Sequence, residues 1–172
     1  MISSTRDRIL AWLVPEHRLR CLRTLWNRML DELAWRGLGE RESGAFLVGR
    51  LWGERREILD VVYYDDLAPE ALVDGTILFP GGAFGALWRR CRQRRMQVVA
   101  DIHTHPTVAR QSWTDREHPM IAEVGHIALI APRFARRPFD DRELGIYEYL
   151  GGHQWRDRSG ASAGRFFVRT RI

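Results

Sequence analysis

Two histidines and an aspartate have the residue types and spacing that suit metal chemistry in this sequence. His103 and His105 lie two positions apart at the end of an apolar run. Because side chains of an extended strand alternate between its two faces, both imidazoles would project to the same side and could bind one ion. Asp115 could complete the set. Two imidazoles and one carboxylate suit zinc, and three protein ligands leave the fourth tetrahedral position open, as in a catalytic site.

A closed structural zinc site would need a fourth protein ligand, and the cysteines do not supply one. Cys21 and Cys91 lie far from the histidines in sequence, and no C-x-x-C pair is present. Both cysteines fall in patterns that read as helical, which predicts reduced, partly buried thiols rather than a disulfide scaffold. The spacing therefore favours an open metal site.

Other ionisable residues could contribute to this site. Glu42 precedes a buried strand in which Gly44 allows close approach of a neighbouring segment, so Glu42 either reaches the site or is a solvated acid at the strand end. Asp101 shares the face of the ligand histidines and either accepts a hydrogen bond from one of them or bonds to backbone. His118 and His126 could be extra ligands, but they lie outside the strand register of the pair, which favours surface or core histidines.

The apolar pattern predicts the elements that would position these residues. Apolar side chains at steps of three and four predict a helix from Glu16 that Gly37 stops, and another over 84–91. Residues 65–85 read as mostly loop with at most one strand, over 76–79. Alternating or continuous apolar runs predict strands over 8–14, 44–49, 58–64, 98–102, 126–130 and 144–150, with closing strands at 154–155 or 166–168.

Length and composition are those of one globular domain. The chain has 172 residues, 45% of them hydrophobic and 28% charged, which allows one well-buried core and is too short for two comfortable ones. The longest early apolar run, Ile9 to Val14, is too short for a signal peptide or a membrane span. We therefore expect a cytoplasmic protein.

The basic residues are all arginine. The formal net charge is +5, and the 27 basic residues include no lysine. Two interpretations are open. One is codon bias in a GC-rich genome, and the other is avoidance of modification, because lysine is the usual acceptor of ubiquitin-type conjugation. Five arginines between 89 and 95 suggest a nucleic-acid surface or an acidic protein partner. No stacking aromatics interleave with them, so we expect no nucleic-acid partner.

Three motifs taken in order resemble the JAMM (MPN-plus, or JAB) metallopeptidase family. They are Glu42 before Ser43-Gly44-x-x-Leu47-x-Gly49, then His103-Thr104-His105-Pro106, then Ser112-x-x-Asp115. Five residues separate Pro106 from Ser112, one fewer than is usual in the family. The resemblance covers about residues 8–156. It implies a single MPN domain over 1–172, an α/β fold whose mixed, mostly antiparallel sheet is flanked by helices in a cytidine-deaminase-like three-layer αβα arrangement.

The resemblance also implies a mechanism. His103, His105 and Asp115 would bind one catalytic zinc ion, which polarises the substrate carbonyl and activates water. Glu42 would be the general base, and Ser112 would donate a hydrogen bond to the oxyanion.

Members of this family typically cut the amide bond after the C terminus of a ubiquitin-like protein. We therefore expect a deubiquitinase-like isopeptidase or processing peptidase of a bacterial ubiquitin-like conjugation system, including antiphage systems. Its partners would be the C-terminal tail of the ubiquitin-like protein and its conjugates, with no membrane involved and the oligomeric state left open. The alternatives are a JAMM peptidase acting on a sulfur-carrier precursor, a phage tail protein or a small-molecule conjugate, and a non-catalytic MPN scaffold.

Overall fold

An eight-stranded mixed sheet forms the centre of the protein. The structure, a computed structural model, describes residues 17–72, 77 and 79–171. The strands are β1 (Leu19–Leu22), β2 (Gly44–Trp52), β3 (Arg55–Tyr63), β4 (Gln97–Thr104), β5 (Ile127–Ala131), β6 (Gly145–Gly151), β7 (Gln154–Asp157) and β8 (Phe167–Thr170). Their order across the sheet is β7-β6-β5-β4-β2-β3-β1-β8.

Antiparallel pairs outnumber parallel ones in this sheet. The pairs β2–β3, β2–β4, β5–β6 and β6–β7 are antiparallel, whereas β1–β3, β1–β8 and β4–β5 are parallel. The prediction of an α/β protein with a mixed, mostly antiparallel sheet is confirmed. The strand predicted over 8–14 lies outside the described residues, as do residues 76 and 78 of the one predicted over 76–79.

The helices are α1 (Arg23–Arg36), α2 (Tyr64–Leu67), α3 (Phe84–Arg94), α4 (Trp113–Glu117) and α5 (Ala163–Phe166). Single 3₁₀ turns lie at Pro69–Leu72, Gly81–Ala83, Arg133–Ala135, Asp141–Glu143 and Gly160–Ser162. Within the described part of the chain, no helix combines the length and the apolar character needed to cross a membrane.

Helices α1 and α3 cover opposite faces of the sheet. The buried side chains of α1 pack with Ala45 and Leu47 of β2 in the larger core cluster. The neighbouring β2 residues, Phe46 and Val48, point the other way and pack with Leu87 and Cys91 in a second cluster. Because strand side chains alternate, β2 contributes to both cores, and the sheet is buried on both faces where it carries the site.

The prediction that the first helix begins at Glu16 is wrong. Residues Leu19–Leu22 form strand β1, and the helix begins only at Arg23. Leu19 and Cys21 are buried while Arg20 and Leu22 are exposed, which is the period of two of a strand. Leu19 and Leu22 also fit the spacing of three that a helix produces, and this coincidence led to the error. The predicted end is confirmed, because Gly37 caps α1.

Two further strands differ from their predicted extents or partners. Strand β2 does not close at Gly49 but continues to Trp52 after a bulge between Val48 and Gly49. The turn at Gly53 and Glu54 is confirmed as the link to β3. Of the two closing strands considered for β6, β7 is its neighbour, whereas β8 pairs with β1 at the far edge of the sheet.

Candidate metal centre

Strand β4 presents both histidines at its carboxyl end. His103 is the last residue but one of β4, and His105 immediately follows the strand. The backbone N–H of His105 donates to the carbonyl of Ala131 at 2.9 Å, and the N–H of Thr104 donates to the carbonyl of Ser43 at 2.9 Å. These bonds hold the histidine segment between β5 on one side and the residue before β2 on the other, so its backbone is fixed.

Asp115 is fixed by a capping box at the start of α4. The hydroxyl of Ser112 accepts a hydrogen bond from the backbone N–H of Asp115 at 3.1 Å. The carboxylate of Asp115 accepts one from the backbone N–H of Ser112 at 2.6 Å. This reciprocal pattern satisfies two N–H groups that a helix start would otherwise leave free. It also fixes the direction of the Asp115 carboxylate, which faces the two histidines.

The three predicted ligands converge. The Nε2 atoms of His103 and His105 are 3.0 Å apart, and each lies 3.3 Å from a different oxygen of the Asp115 carboxylate. Among the described residues, these three form a group whose ligand atoms all lie within 4.8 Å of one another. A tetrahedral ion with bonds of about 2.0–2.1 Å separates its ligands by roughly 3.3 Å. The set therefore fits a small divalent metal ion, and the loop of five residues before Ser112 is long enough.

Glu42 lies beside this group. Its Oε1 is 3.8 Å from Nε2 of His105, a distance that leaves Glu42 outside the ligand set but facing it. Two residues further on, a Cβ at Gly44 would lie 2.3 Å from the Tyr64 ring and 2.9 Å from the carbonyl oxygen of Ile102. The predicted need for a small residue at Gly44 is confirmed.

The charged groups of the site shift one another's pKa values. Burial raises the pKa of Glu42 above its ordinary value, against the opposing effect of both histidines. Burial alone would lower the pKa of His103, but its hydrogen bond to Asp115 and the charge of Asp115 outweigh burial and raise it. Hydrogen bonds from both histidines overcome the effect of burial on Asp115 and hold its pKa well below the usual range. Of these two carboxylates, Glu42 therefore gains a proton more readily than Asp115.

Thr104 and Ser43 hold Glu42 and the histidines together, a role that the sequence analysis missed. The N–H of Ser43 donates to Oγ1 of Thr104 at 2.9 Å, and the hydroxyl of Ser43 donates to the carbonyl of Leu33 in α1 at 2.8 Å. Both side chains are buried. The polar residue between two ligand histidines was a signal that could have identified Thr104.

Asp101 is bound to two other buried side chains. Its Oδ1 lies 2.5 Å from Nε2 of His126, and its Oδ2 accepts a hydrogen bond from the Tyr64 hydroxyl at 3.3 Å. Its carboxylate lines the cavity next to His103, and its hydrogen bonds go to these two residues rather than to a ligand histidine. His126 is thus a core histidine paired with Asp101, and no local sequence pattern predicts that pairing.

A cavity of about 520 Å³ opens over the metal group. Its polar wall includes Glu42, His103, Ser112 and Asp115, and His118 also lines it but lies outside the metal-binding group. The remaining wall is apolar and is formed by Ile77, Phe79, Phe84, Pro119, Met120, Ala128 and Trp155. The site is therefore open to a substrate of several residues' size.

Comparison with proteins of known sequence finds a relative that is named a metalloprotease. No protein-family model matches the chain. A protein of Sinorhizobium fredii (strain NBRC 101917 / NGR234), named "Probable metalloprotease y4jG", is 31% identical over 78 residues. The match covers 45% of this chain and 48% of that protein, so the chain spans about half the length of the curated relative.

Comparison with solved structures supports the fold. The solution structure of protein DSY2949 from Desulfitobacterium hafniense matches with a TM-score of 0.63 and 17% identity, covering 90% of this chain and 94% of that one. The solution structure of a protein from Salinibacter ruber (strain DSM 13855) matches with a TM-score of 0.58 and 16% identity, over 88% and 91%. At these identities the likeness concerns the fold alone.

Proposed function

We propose that the protein is a zinc-dependent peptidase of the JAMM type, in which residues 1–172 form one MPN domain. The observation that carries the proposal is the convergence of His103, His105 and Asp115, with Glu42 at 3.8 Å from His105. The name of the Sinorhizobium fredii relative, a probable metalloprotease, supports the same class. Two imidazoles and one carboxylate form the donor set of catalytic zinc sites, which favours zinc over harder cations.

His103, His105 and Asp115 would hold the ion. When bound, zinc supplies a positive centre that polarises a carbonyl and lowers the pKa of water. The chain contributes a rigid ligand set, because β5 and the capping box fix the backbone of the ligands before any ion binds. A ligand set of this kind needs little rearrangement on binding.

Glu42 would act as the general base and then as the general acid. Its carboxylate faces the ligand set and its pKa is raised by burial, so it can accept a proton from water and pass that proton to the leaving amine. Protonation of the amine is needed because an amide ion is a poor leaving group.

Ser112 would donate a hydrogen bond to the oxyanion of the tetrahedral intermediate. Its oxygen already accepts the N–H of Asp115, so the hydroxyl proton remains available for a substrate oxygen in the cavity that Ser112 lines.

We propose as the substrate class the C-terminal tail of a ubiquitin-like protein, joined through an amide bond to another group. The absence of lysine would prevent the enzyme from becoming a target of the conjugating system, which supports a place in a bacterial conjugation pathway. A sulfur-carrier precursor, a phage tail protein or a small-molecule conjugate would use the same catalytic residues.

The test is cleavage of ubiquitin-like fusion proteins by the zinc-loaded protein and by Glu42→Gln. We expect Glu42→Gln to lose about 10²–10⁴-fold in kcat, since the general base is removed, and to keep its zinc. Glu40→Gln is the matched control, because Glu40 is exposed and does not line the cavity. Chelator-insensitive cleavage, or equal rates for Glu42→Gln and wild type, would contradict the proposed function.

A further inference from the structure

The cavity over the metal group has an apolar end that the proposed chemistry does not use. Phe79 and Phe84 form one side of it, with ring centroids 4.9 Å apart. Met120, from the segment after α4, also lines the cavity and packs against the same second core cluster. These three side chains are partly buried, and each leaves part of its apolar surface facing the cavity.

The two phenylalanines pack against the buried core. Phe79 packs against Phe46 at 5.1 Å and against Tyr64 at 5.5 Å between ring centroids. Phe46 and Tyr64 are fully buried. The position of Phe79 is thus set by the core behind it, so the apolar end is present before a ligand binds.

Ala128 and Asp101, which also line the cavity, form a floor with a small side chain and no unpaired charge. Ala128 of β5 lies opposite Asp101 of β4 in the sheet register, and its methyl group leaves room above the sheet. The Asp101 carboxylate is engaged by His126 and Tyr64. An apolar group can therefore lie on this floor without leaving a lone carboxylate beside it.

The metal group and the apolar end line the same cavity, which has a volume of about 520 Å³. A cavity of that volume has room for more than one residue of a substrate. A substrate whose amide carbonyl lies at the metal group can therefore place the side chain of an adjoining residue against Phe79, Phe84 and Met120.

From this geometry we infer that the enzyme selects substrates carrying a large apolar residue directly beside the scissile amide. The inference rests on the proposed function, which it deepens by naming a feature of the substrate. Burying a Leu or Phe side chain in a preformed apolar pocket favours it over glycine by tenfold or more. A tail with glycine on both sides of the cleaved bond would leave the pocket empty.

The test measures binding and cleavage separately. A peptide series places Gly, Ala, Leu, Phe, Asp or Arg on either side of the amide, and its affinity is measured by calorimetry on zinc-loaded Glu42→Gln. We expect Leu or Phe at one of the two positions to bind at least about tenfold more tightly than Gly. Wild-type kcat/KM should rank the same peptides in the same order.

Met120→Glu should reverse the selectivity. A carboxylate at the apolar end should weaken Leu and Phe peptides about tenfold or more and favour the Arg peptide. Leu38→Glu is the matched control, because Leu38 is exposed and does not line the cavity. This variant should bind the peptides in the same order of affinity as the parent protein. Circular dichroism would establish that both variants are folded.

The outcomes separate this inference from the proposed function. Equal affinity for Gly and Leu peptides, absence of peptide binding, or an unchanged ranking in folded Met120→Glu would overturn the inference. Cleavage that depends on Glu42 but ignores the adjoining residue would leave the proposed function intact. The expected binding order without any cleavage by the wild type would support the pocket and contradict the proposed function.

Discussion

Ser112 has a structural role and a proposed chemical role, and two different measurements report on them. Its oxygen caps α4 by accepting the N–H of Asp115, and its proton is proposed to stabilise the oxyanion. Ser112→Ala removes both. We expect a loss of about 1 kcal/mol in the free energy of unfolding, from the cap, and of about 10²–10³-fold in kcat, from the donor.

Ser112→Thr is the control for this prediction, because threonine keeps the hydroxyl. Chemical denaturation gives the first quantity and turnover of a fusion substrate at saturating zinc gives the second. Full activity in Ser112→Ala would show that the hydroxyl is only a cap.

The sequence singled out the three residues that come together at the candidate site, but it could not predict how they meet. The alternation of a strand places His103 and His105 on one face whatever the fold. Asp115 follows after an irregular segment whose path depends on tertiary contacts, and the capping box shows how the carboxylate is aimed. The pairing of Asp101 with His126 depends on β4 and β5 being neighbours, which no local pattern records.

At the scale of elements, the bond between Ser43 and Thr104 couples the start of β2 to the end of β4. Thr104→Val keeps the shape of the side chain but leaves the buried N–H of Ser43 without this acceptor. We expect a loss of about 1–3 kcal/mol in stability. Loss of this bond should also displace Glu42, which precedes Ser43. We expect that displacement to lower kcat by up to about 100-fold and to leave the zinc content unchanged.

Thr24→Val is the matched control, because Thr24 is exposed on α1 and should change neither quantity appreciably. Thermal unfolding and steady-state kinetics measure the two effects. Unchanged stability and turnover in Thr104→Val would mean that the strands are coupled through their backbone bonds alone.

Strand β1 shows where local pattern fails for an element. Its four residues satisfy both a helical and an extended periodicity, and so short a segment cannot decide between them. Its partners, β3 and β8, supply the hydrogen bonds that make it a strand. The longer elements α1, α3 and β4 are predictable because their pattern of apolar residues continues over a longer stretch of sequence.

At the scale of the whole molecule, Glu148 of β6 joins distant parts of the chain. It is buried and accepts hydrogen bonds from Arg18, ahead of β1, at 2.7 Å and from Arg158, after β7, at 2.9 Å. Burial alone would raise the pKa of Glu148, but these arginines outweigh burial and lower it. Its carboxylate is therefore ionised more readily in the folded state than in the unfolded chain.

The sign of the pH dependence follows from this lowered pKa. Glu148 contributes stability that is present above its unfolded pKa and is lost as the pH falls through its folded pKa. Glu148→Gln should lower the free energy of unfolding by about 3 kcal/mol at pH 7, because the two partly buried arginines lose their buried counter-charge. The substitution should also make the free energy of unfolding depend less steeply on pH below about pH 5.

Glu54→Gln is the control for the change of charge, since Glu54 is exposed and lies 3.8 Å from Arg18. Urea denaturation between pH 3 and pH 8 measures both the loss and the slope. A Glu148→Gln curve parallel to that of the wild type would exclude Glu148 as a source of the acid sensitivity.

His103, His105 and Asp115 are proposed to form a zinc site, and the zinc content of the purified chain decides whether they do. After dialysis against buffered zinc, mass spectrometry should find about one ion per wild-type chain and close to none in His105→Ala. His118→Ala should keep its ion, because His118 lines the cavity outside the ligand group. A wild-type chain without zinc, or His105→Ala binding as much as the wild type, would contradict the claim.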